Sequence, residues 1–315
     1  MSALTSAHPR VPTGTAARVQ VPATSANLGP AFDAAGLSLG LYDEVLVHST
    51  ASGCSVEVHG EGAADLPTDE SHLVLRAVRA GLDAAGVAQP GLALRATNRI
   101  PHGRGLGSSA AATVAGLLVA AALARAAGVE QALPGSELLG LASDFEGHAD
   151  NVGAALLGGL TLVWSDARGQ VHASRLPVDD RVSPVVLVPS ETLSTARARG
   201  MIPSSVPHRV AAFNVGRTAL LVSALTAHPE LLLAATEDHL HQPYRAGAFP
   251  ESMALVERLR ARGMAAVISG AGPSVLVLGT DDTAADLADT DLEASWVARR
   301  LDVDADGARL LAASG

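Results

Sequence analysis

The chain has 315 residues, 48% hydrophobic and 17% charged, with 22 basic against 32 acidic side chains for a formal net charge of −10. That much apolar material in a chain of this length buries a large core, so disorder is excluded, and the acidic balance argues against a protein whose first task is to neutralise a phosphate backbone. Every basic side chain is arginine, which removes the mechanisms that need lysine: the Walker A loop, the protein-kinase strand lysine and the pyridoxal Schiff base.

Residues 1–17 carry Ser, Thr, Pro and Ala without an apolar core, match neither a secretory signal nor a membrane anchor, and read as a loose tail. Alternation over 18–22 predicts a strand that runs into a Gly- and Pro-punctuated loop over 23–30, and further strands follow at 41–49 and 54–59. The sole cysteine, Cys54, rules out an internal disulfide and suits a reducing cytoplasm. Helical spacing over 73–85 ends at Gly86, a C-cap, and 92–100 reads as a strand.

A glycine loop then opens a long Ala-rich helix ending near Gly128. Its most apolar stretch, 110–124, is short of the roughly 20 residues that cross a bilayer, so a buried helix is expected. A short helix over 137–145 delivers the chain into Glu146-Gly147-His148-Ala149-Asp150-Asn151, and a strand follows Gly158-Gly159. The stretch 166–180 is polar and loop-like and divides an N-terminal part, 18–166, from a C-terminal part, 167–315. Beyond it a strand at 185–188, helices at 206–225 and 250–262, and a hairpin of 265–269 with 275–278 are predicted. Strands and helices mix without a β-α-β rhythm, which predicts an α+β fold.

The chemistry concentrates first in Pro101-His102-Gly103-Arg104-Gly105-Leu106-Gly107-Ser108-Ser109-Ala110-Ala111. Small residues let backbone N–H groups approach an anion just before a helix N-terminus, which carries partial positive charge. The Ser108 and Ser109 hydroxyls add donors, or a ligand for a cation that travels with phosphate. A plain strand-to-helix turn with a serine N-cap remains open, as does a dinucleotide loop, although the glycine spacing departs from Gly-x-Gly-x-x-Gly.

The segment 101–111 resembles the ATP-binding signature of the GHMP kinases, the family of galacto-, homoserine, mevalonate and phosphomevalonate kinases, and 21–33 and 269–274 resemble two further motifs of that family in the expected order. Ala31 and Ala149 depart from the family's usual Gly and Pro without removing a functional group. The resemblance implies a two-domain GHMP fold, with an N-terminal ribosomal S5 domain 2-like part, a C-terminal ferredoxin-like part, ATP at 101–111, and Mg²⁺ on Ser109 and Glu146.

Glu146 to Val152, Thr195 to Arg199 and His239 to Arg245 are similar to the homoserine-phosphorylating branch of the family. That likeness implies phosphorylation of the L-homoserine side-chain hydroxyl in threonine biosynthesis. It implies reacting-group roles for Asp150, Asn151 and Thr195, with Asp150 either a base or an orienting group, and substrate contacts from Asn27, Asp33, His148, Arg199 and Arg245. Two guanidinium forks on one carboxylate would select an amino acid over a sugar. His239 and His241 could share a strand face, but no third metal ligand accompanies them. A mevalonate or sugar kinase, or a non-catalytic nucleotide-binding regulator, stays open as an alternative, as does a homodimer. The partners expected are small molecules in the cytoplasm, with no nucleic acid and no membrane.

Overall fold

A computed structural model of the chain describes residues 8–192, 200–288, 292 and 294–312. Its first sheet has seven strands. Strands β1 (Ala16–Ala26) and β2 (Ala35–Thr50) form its long antiparallel centre, with a register shift at Pro22/Ala23. Strand β4 (Gly91–Asn98) lies beside β2, and β3 (Cys54–Gly60) pairs parallel to β4 through the crossover helix α1 (Leu73–Ala84). The far end of β2 is extended by β5 (Leu160–Ser165), which pairs with β6 (Val171–Leu176).

Two expectations change here. The polar stretch beyond residue 166 contains β6, which belongs to the first sheet; its burial pattern shows no fully buried side chain, so alternation left no apolar trace. The chain from His8 onward is also no loose tail. Val11 is buried, Pro9 accepts from Ala88 N–H, and Gly14 N–H donates to Ser49. Residues 1–7 lie outside the described residues.

Helix α2 (Ser108–Ala126) is apolar on every side and packs against α1, β1 and α3 (Gly135–Glu146), as expected of a buried helix. At 19 residues it is longer than the apolar stretch read from sequence, and by length and composition alone it could cross a bilayer; burial inside the fold accounts for that composition. Helix α4 (Asp150–Leu157) follows, laid against β1, β2 and β5.

The second sheet is four-stranded and antiparallel, in the order β10-β7-β9-β8. It comprises β7 (Val185–Pro189), β8 (Ala265–Ile268), β9 (Val275–Leu278) and β10 (Trp296–Arg300), with the predicted hairpin seen as β8 and β9. Helix α5 (His208–Thr226), the short helices α6 (Leu232–Ala235) and α7 (Gln242–Arg245), and α8 (Pro250–Ala261) connect β7 to β8, and α9 (Asp281–Ala288) follows β9. The last strand, β11 (Arg309–Leu311), returns to the first sheet beside β1. A core cluster shared between the sheets includes Val19, Leu37, Leu117, Val186 and Val267, and a smaller one joins α8 to the second sheet.

Candidate active site

Where the two sheets meet, the end of β1, the glycine loop and the β8–β9 turn are tied together. Thr24 N–H donates to Leu106 O at 3.0 Å and Gly270 N–H to Ala26 O at 3.1 Å. The Ser269 hydroxyl donates to Gly105 O at 2.6 Å and shares a hydrogen bond with the Ser25 hydroxyl at 2.8 Å. Asn27 bridges both sides: its Nδ2 donates to Gly270 O at 3.0 Å and its Oδ1 accepts from Asp33 N–H at 3.0 Å. Asn27, Leu28 and Asp33 all have positive φ (69°, 47° and 53°), a strained clustering that persists only where the surroundings hold it.

These segments enclose a cavity of about 130 Å³ lined by Asn27, Gly103, the stretch from Gly105 to Ala110, and side chains of α3, α4 and α7. Gly107 is the N-cap of α2 at φ 70°, and a Cβ there would collide with the Thr24 hydroxyl, so glycine is required on both counts. The first-turn N–H groups of α2 have no intrahelical partner and carry the positive end of its dipole, which makes this end of the cavity an anion cradle.

At the cradle's edge the Ser109 hydroxyl donates to Glu146 Oε1 at 2.8 Å. Thr113, one turn further along α2 and fully buried, donates to the same oxygen at 2.9 Å. Two hydroxyls on one carboxylate oxygen leave Oε2 of Glu146 free of these bonds, and hydroxyl with carboxylate is a hard oxygen set of the kind Mg²⁺ takes. Opposite, Asp150 is 2% exposed at the start of α4, and its Oδ1 accepts Asn151 N–H at 2.8 Å and lies 3.2 Å from His148 Nδ1. Asn151 Oδ1 accepts the Thr24 hydroxyl at 2.8 Å, which fixes the amide orientation and turns Nδ2 toward Asp150.

From the C-terminal part comes Arg245, 2% exposed, with its guanidinium 5.1 Å from the Phe32 ring centre and its Nη1 3.4 Å from His241 Nδ1. It closes α7, which the Asp238 carboxylate caps by accepting Leu240 N–H at 2.7 Å and Gln242 N–H at 2.8 Å. Burial pulls the Asp238 pKa up, but the neighbouring His241, the Asn214 amide and these backbone donors outweigh it and hold the carboxyl below its usual range.

A second cavity of about 330 Å³ shares the wall Gly103, Ser108 and Ser109 and is mostly apolar, with Leu66, Pro67, Val74, Ala111 and Ala112. His72 also lines it. Its Nδ1 accepts Val74 N–H at 3.3 Å, so the ring proton belongs on Nε2, a buried atom with no hydrogen-bond partner among the described residues.

Gly103, Gly105, Leu106, Gly107, Ser108, Ser109, Ala110, Glu146, His148, Asp150, Asn151, Asn27 and Arg245 thus face one cavity. His102 and Ala111 line the second, and Pro101 is buried beside the loop. Arg104 turns away, donating to Pro189 O and Ser190 O at 2.9 Å each, and Asp33 is exposed outside the lining of either cavity. Thr195 and Arg199 lie outside the described residues. The two histidines of the HLH segment part company: His239 stacks on Phe213 at 4.2 Å and His241 on Phe32 at 5.1 Å. Sequence reasoning missed Thr24, Thr113, Asp238 and His72; of these only Asp238, four residues ahead of Gln242, carries a local capping signal.

An anion cradle that opens onto a carboxylate, an amide and a buried guanidinium suits phosphoryl transfer to a small charged acceptor, and the class so defined is a small-molecule kinase. The chain matches the GHMP kinases N terminal domain over residues 72–159 and the GHMP kinases C terminal domain over 220–297. It is 55% identical over 296 residues to a homoserine kinase of Streptomyces avermitilis, covering 94% of this chain and 96% of that one, and 54% identical over 300 residues to one of Clavibacter michiganensis, covering 94% of each. The crystal structure of homoserine kinase from Cytophaga hutchinsonii superposes with a TM-score of 0.79 at 26% identity, covering 94% of this chain and 97% of that one. The chain belongs to the homoserine kinase family of the GHMP kinases.

Proposed function

We propose that the protein transfers the γ-phosphoryl group of ATP to the side-chain hydroxyl of L-homoserine, giving O-phospho-L-homoserine on the route to threonine, in the cytoplasm and with Mg²⁺. The observation that carries this reading is the meeting, in one small cavity, of the α2 N-terminus with the buried Arg245. The activity named for the close relatives supports it.

In this reading the loop N–H groups and the serine hydroxyls hold the phosphates. The adjoining apolar cavity takes the purine, and the Nε2–H of His72 is a donor that a ring nitrogen would satisfy. Ser109 and Glu146 are the oxygen ligands for Mg²⁺, with Thr113 orienting Glu146. When bound, the cation neutralises charge on the transferring phosphoryl. Asn151, fixed by Thr24, and Asp150 orient the acceptor hydroxyl in line, with His148 beside them. Arg245 pairs with the substrate carboxylate, Asp33 receives the ammonium and Asn27 shapes the pocket floor; Thr195 and Arg199 keep the reacting-group and carboxylate roles that the resemblance implies. With no lysine in the chain, cationic help comes from arginine, Mg²⁺ and backbone dipoles.

A coupled assay over homoserine, mevalonate and galactose should show turnover with homoserine alone. Arg245→Lys keeps the charge and loses the planar fork, and should raise the homoserine KM by about tenfold or more while the ATP KM moves less than about twofold. Turnover of mevalonate or galactose without homoserine, or equal effects on both KM values, would overturn the assignment.

A further inference from the structure

A buried guanidinium can serve as a ligand only if something holds it in place, and the environment of Arg245 is unusual in what does so. Behind it sits His241, fully buried, stacked on the Phe32 ring and placed between a donor and acceptors. Its Nε2 lies 2.7 Å from the Gly29 carbonyl and 3.3 Å from Asp238 Oδ2, groups that can only accept. The ring proton therefore resides on Nε2, which leaves Nδ1 with a lone pair directed at Arg245 Nη1, 3.4 Å away. Arginine has five N–H donors and no acceptor, so a partner that accepts one N–H helps fix the plane of the guanidinium of Arg245, which lines the cavity.

We infer that His241 is a positioning residue for the reaction: as the neutral Nε2–H tautomer it accepts from Arg245 and aims the guanidinium at the carboxylate of the amino-acid substrate. The inference rests on the reading of Arg245 given above. Burial and the guanidinium against Nδ1 favour the same state. The charged groups facing the imidazole are Asp238 on its own loop, Arg245 on α7 and Asp33 on the β1–β2 loop. A protonated His241 would set two buried cations against each other at 3.4 Å with no lone pair between them. Burial, with help from the Arg245 charge, holds the imidazole below the usual histidine range against the opposing pull of Asp238, the Gly29 carbonyl and Asp33.

The test is a comparison of His241→Phe, His241→Asn and Arg245→Lys with the parent enzyme, reading kcat and both KM values. His241→Phe keeps a ring for Phe32 and removes the acceptor. It should raise the homoserine KM roughly tenfold, leave the ATP KM within about twofold, and be largely reversed in His241→Asn, whose amide oxygen can accept. The parent's homoserine KM should also climb on acidification below the ordinary histidine range, and His241→Asn should flatten that limb. This pH comparison decides the matter if His241→Phe does not fold. An unchanged homoserine KM in folded His241→Phe, or an acid limb that survives in His241→Asn, overturns the inference. Arg245→Lys separates the two failures: if it also leaves homoserine KM unmoved, the carboxylate reading falls; if it moves KM while the His241 variants do not, only the relay falls.

Discussion

Asp43 shows how a single buried carboxylate can set a pH dependence. It accepts Arg99 N–H at 2.6 Å and Ile100 N–H at 2.9 Å through one oxygen, yet burial, with Glu61 adding to it, pushes its pKa up to about 6 against those donors. A carboxyl with a folded pKa above its unfolded value binds more protons folded than unfolded, so stability falls as pH rises from about 4 to about 6 and stays reduced above that. Asp43→Asn retains an oxygen for both N–H groups and removes the charge. Its melting temperature should exceed the parent's at pH 8, by the equivalent of on the order of 2 kcal/mol, with the gain vanishing near pH 4. A gain equal at both pH values would show that the buried charge is not the cause. The same scale explains why Thr113 could not be read from the chain: its hydroxyl matters because α2 and α3 happen to bring it to Glu146, and the surrounding run of alanine and valine gives it no local signature.

At the level of elements, the glycine loop and the edge strands β3 and β8 were legible, whereas β6 and β11 were not. The loop announces itself because Gly107 needs a left-handed backbone and a collision-free approach to Thr24, requirements only one residue type meets. Strand β6 has no buried face, and β11 is three residues long, so neither has a periodicity to detect. Arg245 was found through resemblance, whereas the carboxylate cap that builds its helix became visible only when Asp238 was seen under α7. Helix α2 illustrates what an element needs beyond its own pattern. A Cβ at Gly116 would lie 2.5 Å from Val74 O and 2.6 Å from the Ala77 side chain, so α1 packs directly on the backbone of α2. Gly116→Val should therefore lower the melting temperature by several degrees, at a cost of about 2 kcal/mol or more, and urea denaturation with an unchanged slope should report it. A neutral result would mean that the two helices separate freely.

For the molecule as a whole, the chain's last described residues are structural partners of α4. Asp304, buried, accepts the Tyr42 hydroxyl at 2.9 Å, the Ser38 hydroxyl at 3.2 Å and Gly307 N–H at 2.7 Å, while its own carbonyl receives Gly159 N–H at 2.7 Å. Ala308 N–H donates to Ala155 O at 2.8 Å, fastening the far end of the helix whose first residues are Asp150 and Asn151. A chain ended after Asp306 loses the Ala308 bond and β11 together. It should melt at least about 5 °C lower and lose kcat more than ATP affinity, as thermal shift and steady-state assays would reveal; equal melting would show that this closure is ornamental.

The pairing of Arg18 with Leu311 has a further consequence during synthesis. The strand made early keeps an open lane until a partner from far along the chain joins it, and through that interval its unpaired backbone is an edge on which other strands can dock. Protection from such encounters arrives only once β11 has folded back beside it.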